Sequence, residues 1–311
     1  MTTGSVTARR TKHSLAHRLA RDFKMNKYKY LLILPVLVVL AFFAYKPMYG
    51  LIIAFKNFRP RLGIAGSKWV GLQNFQNFFN DPYFGRLLRN TVSISLLNIL
   101  FGFPMPILLA LSLNEVRSTR FKRTVQTMTY MPYFISLVVA CALIRVYSQT
   151  NGIFSQILGS PQNLLINPNY FYPIYIISDL WQHVGWNSII YLAALSGIDQ
   201  EQYEAARIDG AGRFKQMLHI TLPGLMPTIT ILFILRMGSV LNVGFEKVLL
   251  LYNEAIYPVA DVISTYVYRR GMMQADYSYA TAVGLFNSVA NVFFLLLANT
   301  ISKRYSDSSL F

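Results

Sequence analysis

The chain of 311 residues contains one cysteine, Cys141. An intramolecular disulfide is therefore impossible, and so is a metal site built on several cysteines. Negative charge is also scarce, with 13 Asp and Glu against 29 Lys and Arg and a net charge of +16. Charged residues make up only 14% of the chain, where an ordinary soluble domain carries about 25%, so there is too little charge to coat a water-facing surface. Two signatures of catalysis are missing as well. There is no G-x-x-x-x-G-K-[ST] loop to cradle nucleotide phosphates and no H-E-x-x-H helix to hold zinc. Nor does the sequence contain an internal repeat, a heptad array or a low-complexity tract.

What is present is apolar: hydrophobic residues reach 54%. A bilayer span needs about 20 mainly apolar residues, and six stretches qualify, at residues 30–54, 88–113, 124–147, 172–196, 223–243 and 279–301. The first follows a leader carrying Arg9, Arg10, Lys12, Arg18, Arg21, Lys24, Lys27 and Lys29. Its apolar run outlasts the roughly 7–15 residues of a signal-peptide core, so it is read as a retained helix that starts in the cytoplasm. Lys and Arg gather on the cytoplasmic side of membranes, and on this reading the inner segments hold seventeen of them and the outer segments eight. Lys56, Arg59, Arg61, Lys68 and Arg86, in the first outer segment, run against the rule. The expected architecture is an all-α integral membrane protein with six transmembrane helices and both termini cytoplasmic. It divides into a basic tail 1–29, a six-helix domain 30–301 and a short cytoplasmic tail 302–311. The excess positive charge is assigned to anionic lipid headgroups beside the spans and not to nucleic acid.

Smaller features carry their own expectations. Lys46-Pro47 predicts a bend in the first span. Trp69, Phe75, Phe78, Phe79 and Phe84 predict an interfacial aromatic belt with a short flat-lying helix, and a partly buried helix is expected around 259–269. Ala280, Gly284 and Ser288 recur every four residues, the spacing of a helix-packing seam.

Between the fourth and fifth apolar runs lies a polar segment, 199–222. Asp199 with Gln202 three positions on has the pattern of a capping box, and Asp209-Gly210 supplies a helix stop, because glycine accepts the left-handed conformation used there. A second short helix is expected from Ala211 to His219, with Phe214, Met217 and Leu218 on one stripe. Leu222-Pro223 then predicts a break, with Pro223 opening the fifth span. The segment reads as a stiff, doubly punctuated elbow. The plainer alternative is that Ala and Glu are simply good helix formers.

Glu204-Ala205-Ala206, then Gly210 after three intervening residues and Ile220-Thr221-Leu222-Pro223 after nine more, resembles the EAA motif of permease subunits in ABC importers. The segments YKPMYGLIIAFKNF (45–58), VGLQNFQNFF (70–79) and FEKVLLLYNEAIYPVADVISTYVYRRG (245–271) are similar to the branch of maltose-type permeases that handles oligosaccharides and polysaccharide fragments. The resemblance implies a type I ABC importer transmembrane domain in a bacterial cell membrane. It implies a coupling helix that docks on a cytoplasmic ATPase through Glu204, Ala205, Ala206, Asp209, Gly210, Ala211, Phe214, Leu222 and Pro223. It further implies a second homologous permease, two copies of the ATPase, which would bind ATP and Mg, and an extracytoplasmic sugar-binding protein. No cofactor is expected on this chain itself.

Ionisable groups within spans are costly and are candidate functional groups by default. Arg145, Asp179, His183 and Arg236 are of this kind, and an Arg145–Asp179 pair is expected near the outer mouth. A sugar pathway wants flat aromatic faces with amide and hydroxyl partners. Tyr130, Tyr133, Trp181, His183, Trp186, Asn187, Arg236 and Asn242 fit that description, whereas a metal pathway would want clustered carboxylates. Two other readings remain open on sequence. A membrane-embedded polysaccharide-processing enzyme would have only Asp179 and His183 as an acid–base pair, and a self-sufficient ion-coupled carrier would want paired halves and buried carboxylates.

Overall fold

The computed structural model describes residues 22–160, 162–305 and 310. Arg9, Arg10, Lys12, Arg18 and Arg21 of the basic tail, and residues 306–309 and 311 of the carboxyl-terminal tail, lie outside the described residues. The chain divides into two compact units, Met1–Ile52 and Ile53–Phe311. In the first, α1 (Lys27–Val39) passes into a π-helical stretch at Leu40–Tyr45 and returns to α-helix at Lys46–Met48. The expected bend at Lys46-Pro47 takes the form of a change in helix type inside one 29-residue helix, Lys27–Phe55. Its apolar side chains are exposed, Leu32 by 79% and Phe43 by 80%, as suits a helix solvated by lipid.

Proline explains where three such stretches fall. Of the four π-helical segments among the described residues, Leu40–Tyr45, Asn98–Gly102 and Met217–Thr221 each end two residues before a proline, Pro47, Pro104 and Pro223, while the fourth, Arg269–Met273, precedes none. A proline inside a helix has no N–H for the carbonyl four residues back, and its ring collides with that carbonyl. A wider turn just upstream moves the carbonyl aside and lets the helix continue.

The second unit opens with a two-stranded antiparallel hairpin, β1 (Lys56–Asn57) and β2 (Lys68–Trp69), in register Lys56 opposite Trp69. Helix α2 (Gln73–Phe79) follows, then α3 (Phe84–Leu97) joined through its π stretch to α4 (Pro104–Glu115). Helix α5 (Thr119–Tyr130) and α6 (Leu137–Tyr147) replace the expected straight third span, because the paired segments Thr119–Phe134 and Leu137–Tyr147 meet at 96°. Pro132 and the Ser136 side chain, which accepts from the Val139 amide at 3.3 Å, start a new helix instead of extending the old one. The carbonyl freed at Ile135 is satisfied by Gln182 Nε2 at 3.0 Å.

Helix α7 (Pro168–Leu195) is capped by Asn167 and started by Pro168. The chain ends through α8 (Gln200–Ile208), α9 (Arg213–Gln216), α10 (Leu222–Met237), α11 (Phe245–Leu251), α12 (Ile263–Tyr268) and α13 (Tyr277–Tyr305). Among the described residues, four helices are long and apolar enough to cross a membrane: Lys27–Phe55, Phe84–Glu115, Arg213–Met237 and Tyr277–Arg304, with the bent pair as a fifth if it counts as one span. Helix α7 has 28 residues, enough for about 42 Å, but Asp179, Gln182, His183, Asn187 and Ser188 lower its hydropathy. Its Gly185 lies against α5 so closely that an added Cβ would sit 2.8 Å from Thr129 Cβ and inside the contact distance of the Thr129 carbonyl. Gly185→Ala should force the helices apart and cost about 1–3 kcal/mol, read as a lower thermal midpoint of the purified protein.

Three apolar clusters hold the second unit. One gathers Ile94, Cys141, Phe171, Tyr175, Val248 and Ile256, another Ile107, Leu111, Tyr191, Leu195 and Leu225. The third corrects the expected aromatic belt, since Phe78 is 1% exposed and packs with Leu87, Tyr266, Tyr279 and Val283. Trp69 and Phe79 of that set stay exposed, at 60% and 49%, with Trp69 stacked on Phe55. The partly buried helix expected near 259–269 is present as α12, whose Ile263, Thr265 and Tyr266 are buried. Of the predicted small-residue seam, Ala280 packs against Gly271, while Gly284 faces open space and Ser288 is exposed.

Of the basic residues that broke the charge rule, Arg86 is paired with an acid, and so are Arg269 and Arg270 further along the chain. Asp261, fully buried, binds Arg269 at 2.6 Å and Arg86 at 3.3 Å, and Asp276 binds Arg270 at 3.2 Å. Asp81 accepts from the Tyr266 hydroxyl at 2.6 Å and the Tyr279 hydroxyl at 2.8 Å. Burial alone would push the Asp81 carboxyl up, but those hydroxyls, the Tyr83 amide and the Arg270 charge together hold it below the usual carboxylate range. Such arginines bring their own counter-charges, so a simple count overstates the net positive charge of their segments.

Candidate functional site

A cavity of about 760 Å³ opens between α4, the 3₁₀ turn Met131–Phe134, α7, α10 and α11. Six of the eight predicted pathway residues line it: Tyr133, His183, Trp186, Asn187, Arg236 and Asn242. Tyr130 does not. It faces a separate groove with Lys122, Gln126 and Ile189, because the chain turns between Tyr130 and Tyr133 and sends the two rings to different places. Trp181, also expected near the pathway, is 45% exposed and is not part of the cavity wall.

The aromatic part of the wall is ordered by stacking. Tyr133 and Trp186 lie face to face, with centroids 4.4 Å apart and planes at 3°, and Phe134 meets the same indole edge-on at 5.5 Å. The polar part is held from behind. Asn242 Oδ1 accepts from Asn287 at 2.9 Å and Asn291 at 3.1 Å, and Asn291 Oδ1 takes the Leu241 amide at 2.9 Å. A flat aromatic pair beside fixed amides suits a ligand with apolar C–H faces and many hydroxyls.

The expected Arg145–Asp179 pair is not formed. Asp179 binds Lys247 Nζ at 3.2 Å and His183 Nδ1 at 3.4 Å, and Arg145 ends α6 in an exposed last turn, where a cation complements the helix dipole. Lys247 was missed as a site residue because it reads as one of several outer-loop basics. A lone lysine amid FEKVLLL was nevertheless a signal, since such a side chain needs a partner. In the structure it is 4% exposed, donates to the Tyr175 carbonyl at 3.0 Å and lies 4.6 Å from the centre of that ring. The cavity wall also includes Asn98, Tyr175 and Gln182, which sequence reasoning did not assign. Arg236, by contrast, is exposed and has no ion-pair partner among the described residues.

At the far end of α10 lies the polar elbow. Asp199 caps α8 by accepting from the Glu201 amide at 3.0 Å, as its sequence suggests, but Gln202 does not return the second bond of the expected capping box. At the other end Gly210 has φ +76°, its N–H bonds to the Arg207 carbonyl at 3.1 Å, and the Ala211 N–H reaches the Ala206 carbonyl at 2.8 Å. These two bonds make a Schellman stop. Glu204, Ala205, Arg207, Ile208 and Asp209 are exposed, Ile208 by 87% and Phe214 by 68%. The second break expected at Leu222-Pro223 is absent. Leu222 is helical, with φ −67° and ψ −46°, and helix runs through 25 residues, Arg213–Met237. The π turn at Met217–Thr221 absorbs the proline, and Tyr203 ties α8 to it through a 3.0 Å bond with Thr221 Oγ1. The elbow thus has one hinge, and everything after it is one rod.

Residues 102–307 match the family model described as binding-protein-dependent transport system inner membrane component. Over 293 residues the chain is 45% identical to protein LplB of Bacillus subtilis (strain 168), covering 93% of this chain and 92% of that protein. It is 43% identical to the polygalacturonan/rhamnogalacturonan transport system permease protein YteP of the same organism, covering 94% and 93%. The fold is similar to a chain in the crystal structure of a bacterial alginate ABC transporter in complex with an alginate pentasaccharide-bound periplasmic protein. The TM-score is 0.86 and the identity 41%, covering 94% of this chain and 100% of that one. A cavity lined by stacked aromatics and amides, joined by one rod to an exposed EAA-like loop, accords with these likenesses, and the chain belongs to the family of binding-protein-dependent transport system inner membrane components.

Proposed function

We propose that this chain is a permease subunit of an ATP-driven ABC importer and forms half of a pore that carries oligosaccharides inward. The observation that carries the reading is the helix Arg213–Met237. Its 25 residues span about 38 Å, one end beginning at the hinge after Gly210 and the other carrying Leu232 and Arg236 on the cavity wall. Force applied to the loop therefore reaches the cavity with no slack joint between. On this reading α7 and the bent pair α5–α6 complete six spans, with residues 1–29 and 302–311 cytoplasmic and the basic tail against anionic lipid.

The exposed residues Glu204, Ala205, Asp209, Gly210 and Phe214, with the half-buried Ala206 and Ala211, form the docking surface for a separate ATPase, two copies of which bind ATP and Mg, and Leu222 and Pro223 pass its movement into the span. A second, homologous permease completes the pore. An extracytoplasmic sugar-binding protein delivers the substrate, a role supported by the periplasmic protein bound in the alginate transporter. Tyr133, His183, Trp186, Asn187, Arg236 and Asn242 line the path, and oligosaccharide as the class is supported by the polygalacturonan/rhamnogalacturonan named for YteP and the alginate pentasaccharide on the periplasmic protein of the alginate transporter.

The complex formed by co-expressing the chain with its neighbouring ATPase, permease and binding-protein genes should hydrolyse ATP faster when the binding protein carries an oligosaccharide. An ATPase rate indifferent to every oligosaccharide, or a chain that never co-purifies with an ATPase, would refute the assignment.

A further inference from the structure

We infer that the substrate carried through this cavity is anionic, a carboxylate-bearing (uronate-type) oligosaccharide, and that Arg236 is the residue that pairs with its carboxylates. The inference rests on the permease reading above and names the substrate class for it. The argument is one of charge balance on the cavity wall. Four ionisable residues other than tyrosines lie there: Asp179, His183, Arg236 and Lys247. Three are matched with one another, Lys247 on Asp179 at 3.2 Å and His183 on the same carboxylate at 3.4 Å. Arg236 is left as the unbalanced charge. It stands in the last turn of α10 and has no acidic neighbour within ion-pair distance among the described residues.

Arg236 stands exposed on the wall of the passage, a cation with no counter-charge of its own and open to an anionic group that passes it. Its neighbours on the wall say what shape that visitor has. Trp186 and Tyr133 offer a stacked aromatic surface for the faces of sugar rings, while Asn187 and Asn242 offer amides for hydroxyls. Guanidinium presents a planar fork that matches a carboxylate with two parallel hydrogen bonds. A neutral sugar offers that fork only hydroxyls, whereas a uronate chain presents a carboxylate on each ring as it moves past. An arginine in a final helical turn also complements the helix dipole, and any cation would serve for that.

The test uses the assembled importer in proteoliposomes, with short oligogalacturonates and the same oligosaccharides after reduction of their carboxyls to primary alcohols. The wild type should take up the acidic form in preference. Arg236→Gln should lower uptake of the acidic form relative to the reduced form by at least about tenfold, the scale of one lost charge-assisted hydrogen bond. Because the binding protein is the same in both, its own preference cancels when the ratio of the two substrates is compared between wild type and variant. Arg236→Lys, which keeps charge without the fork, should fall between them. The inference is overturned if the wild type moves the reduced form as well as the acidic one, or if Arg236→Gln lowers both alike, as the loss of a partner subunit's counter-ion or of helix-end support would do. It is overturned equally if Arg236→Gln changes neither. Brisk uptake of neutral oligosaccharides would sink the charge argument and leave the permease reading standing. Failure to move any oligosaccharide would sink both.

Discussion

Gly210→Val should abolish uptake while the subunit still inserts in the membrane, and the loss should follow backbone strain and not crowding. Gly210 sits at φ +76° with nothing within 4 Å of where a Cβ would stand, so the site has room for a side chain. What it lacks is tolerance for an L-residue conformation. A left-handed backbone costs an ordinary residue about 1–2 kcal/mol, more when the side chain is branched at Cβ, and little for asparagine, which adopts it readily. A series of Asn, Ala and Val at this position should therefore show a progressive loss of ATPase co-purification and uptake, with Asn close to wild type. The effect on function exceeds the local cost because the Schellman bonds from Gly210 and Ala211 back to Arg207 and Ala206 fix the angle between α8 and the rod beginning at Arg213. If that angle opens, the ATPase holds α8 but no longer steers α10. Normal uptake by the valine variant would show that the angle is not what transmits the work.

The elbow was legible in the sequence because its signals are local. An acid before a helix and Asp-Gly after one act through bonds spanning two to five residues, and Asp199 and Gly210 play the parts their positions suggest. The continuation through Leu222-Pro223 was not legible. The rule that a residue before proline avoids the helical region assumes a regular α-helix, and the π turn at Met217–Thr221 evades it by shifting the hydrogen-bond pattern upstream. Similarly, the break inside the third apolar run depends on Gln182 of another helix satisfying the Ile135 carbonyl, a contact 47 residues away that no window on the sequence contains. The pathway residues were found by type, since aromatics, amides and ionisable groups are conspicuous in apolar helices. Their pairing was not, because the choice between Arg145 and Lys247 as partner of Asp179 turns on how α11 folds back beside α7.

That pairing supplies the second large effect. Asp179 and Lys247 join the cavity wall of α7 to the short helix α11, and the two ends are not equally exposed: the Lys247 side chain is 4% accessible and that of Asp179 25%. Removing one member of a buried pair costs about 3–5 kcal/mol, since the other charge stays behind uncompensated. Asp179→Asn keeps the shape of the side chain and strands the ammonium in its least accessible position, with only the Tyr175 carbonyl and ring beside it. Lys247→Met strands a carboxylate that still has His183 and the water of the cavity, so it should cost less. The double variant removes both charges and should be more stable than Asp179→Asn alone, because replacing a buried pair by uncharged groups is often close to neutral. Thermal unfolding midpoints of the purified protein would then rank wild type and the double variant above Lys247→Met, with Asp179→Asn lowest. A double variant as damaged as the two single losses added together would mean that the charges act independently. In that case Lys247 would not be what fastens α11 to the cavity wall.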